Sequence, residues 1–188
     1  FSLRAVCMFL FQVSTPRVTI TSSGTTRTSA SPLTVIRRVS DAGCAACCAA
    51  AGAAGVRHVI YLSFVNAEPD ATFVCAREHY ETEQFLRSTG IAFTFLRPGL
   101  YMDNVPKHVM SDDVIRAPAG QGRVAWIARE DIAEAAVAVM TGNGHEGRTY
   151  DITGPEALTM EETAEHLSAV LGRKITYQAQ TPHEARLH

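Results

Sequence analysis

VRHVIYLSFVNAEPDATFVCAREHYETEQFLRSTGIAFTFLRPGLYMDN, Val56 to Asn104, is the stretch that decides the fold. His58 to Phe64 is a short apolar run rich in β-branched and aromatic residues, with the length and content of a strand buried on both faces. Phe73 to Ser88 is longer and polar, and its apolar side chains Phe73, Ala76 and Tyr80, with Phe85 and Leu86 one turn off that line, recur at helical spacing. Gly90 supplies a left-handed stop, Ala92 to Leu96 makes a second apolar strand, and Pro98-Gly99 ends it. Strand, helix, strand is a βαβ unit, whose crossover brings both strand ends to one edge of the sheet. Ligands of open α/β sheets bind at that carboxyl edge. Ser63 therefore stands at one strand tip, and Arg97, Pro98, Gly99, Leu100, Tyr101 and Asn104 follow the other.

Working outward, 188 residues with 46% hydrophobic and 19% charged content suffice for one α/β domain with a core, so a single domain over 1–188 is expected. The formal charge of -2 provides no basic field, which removes nucleic acid as a partner. FSLRAVCMFLFQV at the start is too short to span a bilayer and lacks the cationic start and small-residue cleavage site of a signal peptide. It reads as a buried strand, Val6 to Val13, and no other run reaches transmembrane length, so a cytoplasmic protein without membrane contact is expected. Cys44, Cys47 and Cys48 share an Ala-rich run, and Cys44-x-x-Cys47 has the spacing of half a zinc site or a redox pair. No second Cys pair or His pair stands at ligand spacing, so the expectation is no metal and small thiols filling a helix face.

Between residues 15 and 42, Ser, Thr and Arg accumulate and the apolar period fades, which predicts an irregular connection. Beyond Asn104 the spacing predicts a short helix to Ser111, an extended piece at Val114 to Pro118, and a strand at Val124 to Ile127 leading into a helix from Asp131 to Met140. A strand from Arg148 to Thr153 precedes Thr159-x-x-Glu162, a capping box that starts a helix stopping at Gly172. Lys174 to Tyr177 is a last short strand.

Five runs in order carry a resemblance: AAGVRHVIYLS, EHYETE, STGIAFTFLRPGLY, APAGQGRVAWIAREDIAEAA and GHEGRTYDITGPEALTMEETAEHLS. From Ala53 to Tyr177 the chain resembles the NmrA-like branch of the atypical short-chain dehydrogenase/reductases, and most closely its NAD(P)H:quinone oxidoreductase members. The resemblance implies a Rossmann-like doubly wound parallel sheet, truncated at the amino terminus, in which Val6 to Val13 would be the fourth strand. No G-x-x-G-x-x-G or G-x-G-x-x-G turn occurs, so the cradle that holds a pyrophosphate is missing and the chain reads as the carboxyl part of a longer protein. Val6 to Val13 then becomes an open apolar edge, which predicts self-association.

By the same resemblance, the function is that of an NAD(P)H-dependent oxidoreductase passing hydride to a quinone-like small molecule, with NADPH favoured over NADH. The alternative is a non-enzymatic NAD(P)-sensing regulator of the same branch. An epimerase-like enzyme is disfavoured because the Tyr-x-x-x-Lys pair is absent: Tyr80 is followed by Gln84. The catalytic candidates are Tyr101 and His79, the cofactor candidates Ser14, Ser63, Arg97, Pro98, Gly99, Leu100 and Tyr101, and the substrate candidates Tyr101 and Asn104. Each has a plain counterpart. Tyr101 either stacks on a quinone or nicotinamide or anchors the surface. His79 either supplies a proton near neutral pH or lies exposed on a polar helix. Ser63 is either the dehydrogenase serine or a strand-end serine, Gly99 either admits a cofactor or completes a turn, and Asn104 either bonds a ligand or caps the next turn. Asp131 with Arg129 either serves the site or sets the charge of a helix start.

Overall fold

The computed structural model describes the backbone of residues 8–12, 18–22, 25–29, 33–37 and 56–186, and the side chains of 56–185. Its strands are Met8–Gln12 (β1), Val18–Ser22 (β2), Thr25–Ser29 (β3), Leu33–Arg37 (β4), His58–Leu62 (β5), Ala92–Pro98 (β6), Val114–Ala117 (β7), Arg148–Ile152 (β8) and Thr176–Ala179 (β9). The helices are Val74–Ser88 (α1), Arg129–Thr141 (α2) and Met160–Leu171 (α3). Ser14, the run from Ala42 to Gly55 and its Cys44, Cys47 and Cys48 lie outside the described residues.

Where one domain was expected over 1–188, the chain forms two compact units: Phe1–Pro98 with Ala133–Ile152, and Gly99–Ile132 with Thr153–His188. The first division falls at Pro98-Gly99, where the strand pattern stops. The first unit holds a seven-stranded sheet in the order β3-β2-β4-β1-β5-β6-β8. β5, β6 and β8 are parallel and in register, with Val59 opposite Phe93 and Leu96 opposite Tyr150. This is the α/β, Rossmann-like core that the βαβ reading predicts.

Three readings of the amino-terminal part are corrected. The connection expected to be irregular between 15 and 42 contains β2, β3 and β4, because the Thr, Val and Ile among its Ser and Arg favour extended backbone. β1 lies beside β5 as the fourth strand would, but antiparallel to it, and also antiparallel to β4. The open apolar edge expected at Val6 to Val13 is therefore covered by β4, and the outermost strand on that side is β3. That removes the physical ground given above for self-association.

α1 has the expected length, but its inward face differs. Ala76, His79, Glu83 and Leu86 are its buried residues, at spacings of three and four, while Phe73 and Phe85 are 44% and 36% exposed. Two polar residues occupy the stripe, so an apolar count points to the wrong side of the helix. Beneath α2, Ala136 and Val139 pack with Ile60 and Leu96, partly enclosed by Leu62, Met140, Tyr150 and Ile152.

The second unit has its own core of Val105, Ile115, Trp126, Met160, Ala164 and Ile175, and a two-stranded parallel sheet of β7 and β9. Trp126 Nε1 donates to Thr163 Oγ1 at 3.0 Å, which satisfies the indole as it buries. The capping box forms: Glu162 N donates to Thr159 Oγ1 at 3.1 Å and Thr159 N to Glu162 Oε2 at 2.7 Å. Gly172 closes α3 at a φ of 64°. Gly154 is required by proximity, since a Cβ there would lie 1.9 Å from the Trp126 carbonyl oxygen. Val124 to Ile127, expected as a strand, is extended but pairs through isolated bridges, Val124 with Leu158 and Ile127 with Tyr101. Among the described residues no helix is long and apolar enough to cross a membrane, and no group of His, Cys, Asp or Glu is placed to hold a metal ion.

Candidate functional site

The parallel pairing of β5 and β6 continues beyond the end of β5. Ser63 N donates to Leu96 O at 2.7 Å and Val65 N to Pro98 O at 3.0 Å, so the two strand tips are immediate neighbours. That adjacency is the geometric condition for a ligand cleft at this edge.

The polar groups at the tips are already engaged. The buried Ser63 hydroxyl donates to Glu83 Oε1 at 2.6 Å. Arg97 Nε donates to the same oxygen at 2.8 Å, Arg97 Nη2 donates to Glu83 Oε2 at 2.7 Å, and Nη2 also reaches Ala67 O at 3.2 Å. Glu83 is fully buried and receives three donors on two oxygens, the fork geometry that suits Arg. The Glu83 hydrogen bond holds the Arg97 guanidinium above its usual pKa. Arg87 stands 3.8 Å from Glu83 Oε2 with its guanidinium over the Phe93 and Phe95 rings, 4.8 and 4.9 Å from their centroids.

His79 is buried, and burial lowers its pKa to about 4. Its Nδ1 shares a 2.7 Å hydrogen bond with Tyr61 OH, and Phe64 stacks on the ring at 6.2 Å. The expectation of an exposed His79 is corrected by its burial, which leaves the imidazole mainly uncharged at neutral pH. The α1 spacing that places His79 inward, three residues after Ala76, is the physical reason.

In the second unit, Gly99 is buried and Leu100 is 41% exposed. Ile127 N donates to Leu100 O at 3.1 Å and Met102 N to Ile127 O at 2.9 Å, so the Pro-Gly-Leu-Tyr bend continues into a clamped segment rather than a loose loop. Tyr101 is half-buried, and the Arg129 guanidinium lies 5.3 Å from its ring centroid, a cation–π contact. Asn104 accepts from Lys107 Nζ at 3.0 Å within the 3₁₀ helix Met102–His108. Asp131 is exposed in the first turn of α2.

Thus Ser63, Arg97 and Pro98 come together at the strand tips of the first unit, with His79 against Tyr61 and Phe64, while Leu100, Tyr101 and Asn104 follow one another in the second. Glu83 is the residue that sequence reading missed. Its signal was present in its spacing: Ala76, His79, Glu83 and Leu86 form a single stripe, and an acid between Ala and Leu on that stripe is a buried acid needing a partner.

Residues 44–186 match the NmrA-like family. The chain belongs to that family. Among NmrA-like and other relatives, it is 44% identical over 127 residues to the (4-alkanoyl-5-oxo-2,5-dihydrofuran-3-yl)methyl phosphate reductase of Streptomyces griseus, covering 65% of this chain and 45% of that one. It is 38% identical over 137 residues to the NAD(P)H azoreductase of Xenophilus azovorans, covering 70% and 47% respectively. The crystal structure of the Escherichia coli NADPH-dependent quinone oxidoreductase with NADPH superposes at a TM-score of 0.64 with 36% identity, over 71% of this chain and 48% of that one. The NmrA-like chain described here spans about half the length of the curated relatives it matches.

Proposed function

We propose that this chain forms the nicotinamide-side part of an NAD(P)H-dependent oxidoreductase whose acceptor is a quinone or a similarly electrophilic planar molecule. The observation that carries the reading is the adjacency of the two parallel strand tips, Ser63 beside Leu96 and Val65 beside Pro98. Three reductase relatives at 36 to 44% identity support it. NADPH is the favoured form, on the strength of the NADPH complex of the quinone oxidoreductase relative.

The residues suit a nicotinamide ring. The tips end in small or apolar side chains, and the Ser63 hydroxyl and Arg97 guanidinium are both directed to Glu83, so no unpaired charge from that trio faces the edge. They do not suit a pyrophosphate, since no glycine-rich turn occurs among the 188 residues. Bound NADPH would supply a hydride, and a quinone that accepts it becomes a hydroquinone once a proton is added. This chain contributes position and exclusion of water rather than acid catalysis. Solvent would supply the proton, since burial lowers the pKa of His79 to about 4 and leaves it without an imidazolium proton at neutral pH. Within the second unit, Tyr101 has the Arg129 guanidinium against its ring, an aromatic surface of the kind on which a planar molecule stacks.

The test is NADPH consumption by the protein expressed from its complete coding sequence, on addition of p-benzoquinone. Turnover is expected, with the KM for quinone raised about tenfold by Tyr101→Ala and little changed by Tyr101→Phe. Tight NADPH binding without turnover would instead place the protein with dinucleotide-sensing regulators.

A further inference from the structure

We propose that Glu83 is a positioning residue: with Arg97 it fastens the loop from Ser63 to Ala67 against the tip of β6, and so sets the edge at which the nicotinamide would lie. This rests on the reading just given. Glu83 has no exposed surface, so it cannot touch a ligand, and any effect on binding must pass through what it holds. It holds three separate pieces of chain. Its carboxylate sits on α1, accepts from Ser63 Oγ at the end of β5, and takes the Arg97 fork from β6. Arg97 in turn reaches past Glu83 to Ala67 O, the far end of the loop, and Val65 N is tied to Pro98 O in between.

Stability alone does not account for this arrangement. Removing a carboxylate and a guanidinium from water is costly, and replacing a buried ion pair by apolar residues of similar volume is often neutral or stabilising. What the ionic version adds is direction, since two carboxylate oxygens and a planar fork accept only one relative placement. Asn66, inside the loop, turns the chain at a φ of 55°, a left-handed conformation that Asn accommodates.

Amide hydrogen exchange on the full-length protein, compared with Glu83→Ala and Glu83→Gln, tests the inference alongside NADPH kinetics. Glu83→Ala is expected to speed exchange at residues 63–67 at least tenfold while the rest of β5 and β6 exchange as before. Glu83→Gln, which keeps an oxygen for Ser63, falls between, and it carries the comparison if the alanine variant does not fold. In the same variants the KM for NADPH rises about tenfold with kcat within about twofold. Unchanged loop exchange, or faster exchange spread evenly through β5, α1 and β6, would overturn the proposal. So would a loss of kcat that tracks the folded fraction at constant KM. If the unmodified protein neither binds nor oxidises NADPH, the functional reading fails, and loop exchange alone then decides whether Glu83 holds the loop.

Discussion

His79 and Glu83 are the two titratable residues that α1 turns inward, and they resolve burial differently. Glu83 pairs with Arg97 at 2.7 Å, whereas His79 bonds Tyr61, its pKa lowered to about 4 by burial. The consequence for stability has a definite sign. An unfolded histidine takes up a proton near its ordinary value of about 6.5, while the folded one does not until about pH 4. Between those values the unfolded state binds more protons, so stability is highest above the upper value and falls as the pH drops through the window. Urea unfolding at pH 7 and pH 5 should show a loss of about 2 kcal/mol attributable to this residue. His79→Gln, which can still bond Tyr61, should flatten that loss, leaving the smaller contribution of His58, whose pKa is also lowered by burial. An unaltered slope in the variant would show that His79 is not the buried neutral group described. Ser63 and Tyr101 were legible as residues that follow a strand, but the groups that contact them, Glu83 and Arg129, were not. A partner across a fold is chosen by the rotation of one element over another, and no local pattern carries that.

At the scale of elements, legibility follows how local the determining interaction is. α3 was readable at both ends because its start is a reciprocal bond between residues three apart and its stop is a glycine at positive φ. Thr159→Ala should cost about 1 kcal/mol, seen as a lower thermal midpoint. Gly154→Ala should cost more, about 3 kcal/mol, because the added methyl meets backbone at Trp126 and not a movable side chain. If the two variants melt alike, the close approach at Gly154 is not the constraint described. α1 was readable in length but not in face, since two of its four buried positions are polar. Val124 to Ile127 was readable as extended, but whether an extended piece becomes a strand depends on a neighbour that sequence does not name, and here it finds only bridges.

At the scale of the whole molecule, a ligand that binds the folded state alone raises its stability by mass action. NADPH at a hundredfold excess over its dissociation constant should stabilise the full-length protein by about 2.7 kcal/mol. A thermal shift with NADPH and none with free adenine would support the proposed cofactor, and identical midpoints with and without NADPH would remove it. The parallel β5-α1-β6 arrangement and the neighbouring tips were determined by sequence alone, because hydrophobic period, a glycine stop and a Pro-Gly break act over a few residues and a short crossover leaves few topologies open. Only the tertiary structure decided that β1 runs antiparallel with β4 on its far side, that the chain separates into two units, and that Ser63 and Arg97 meet on Glu83. Those outcomes depend on which distant groups come within hydrogen-bonding reach once the backbone has folded, a choice made by packing in three dimensions and not by the order of residues along the chain.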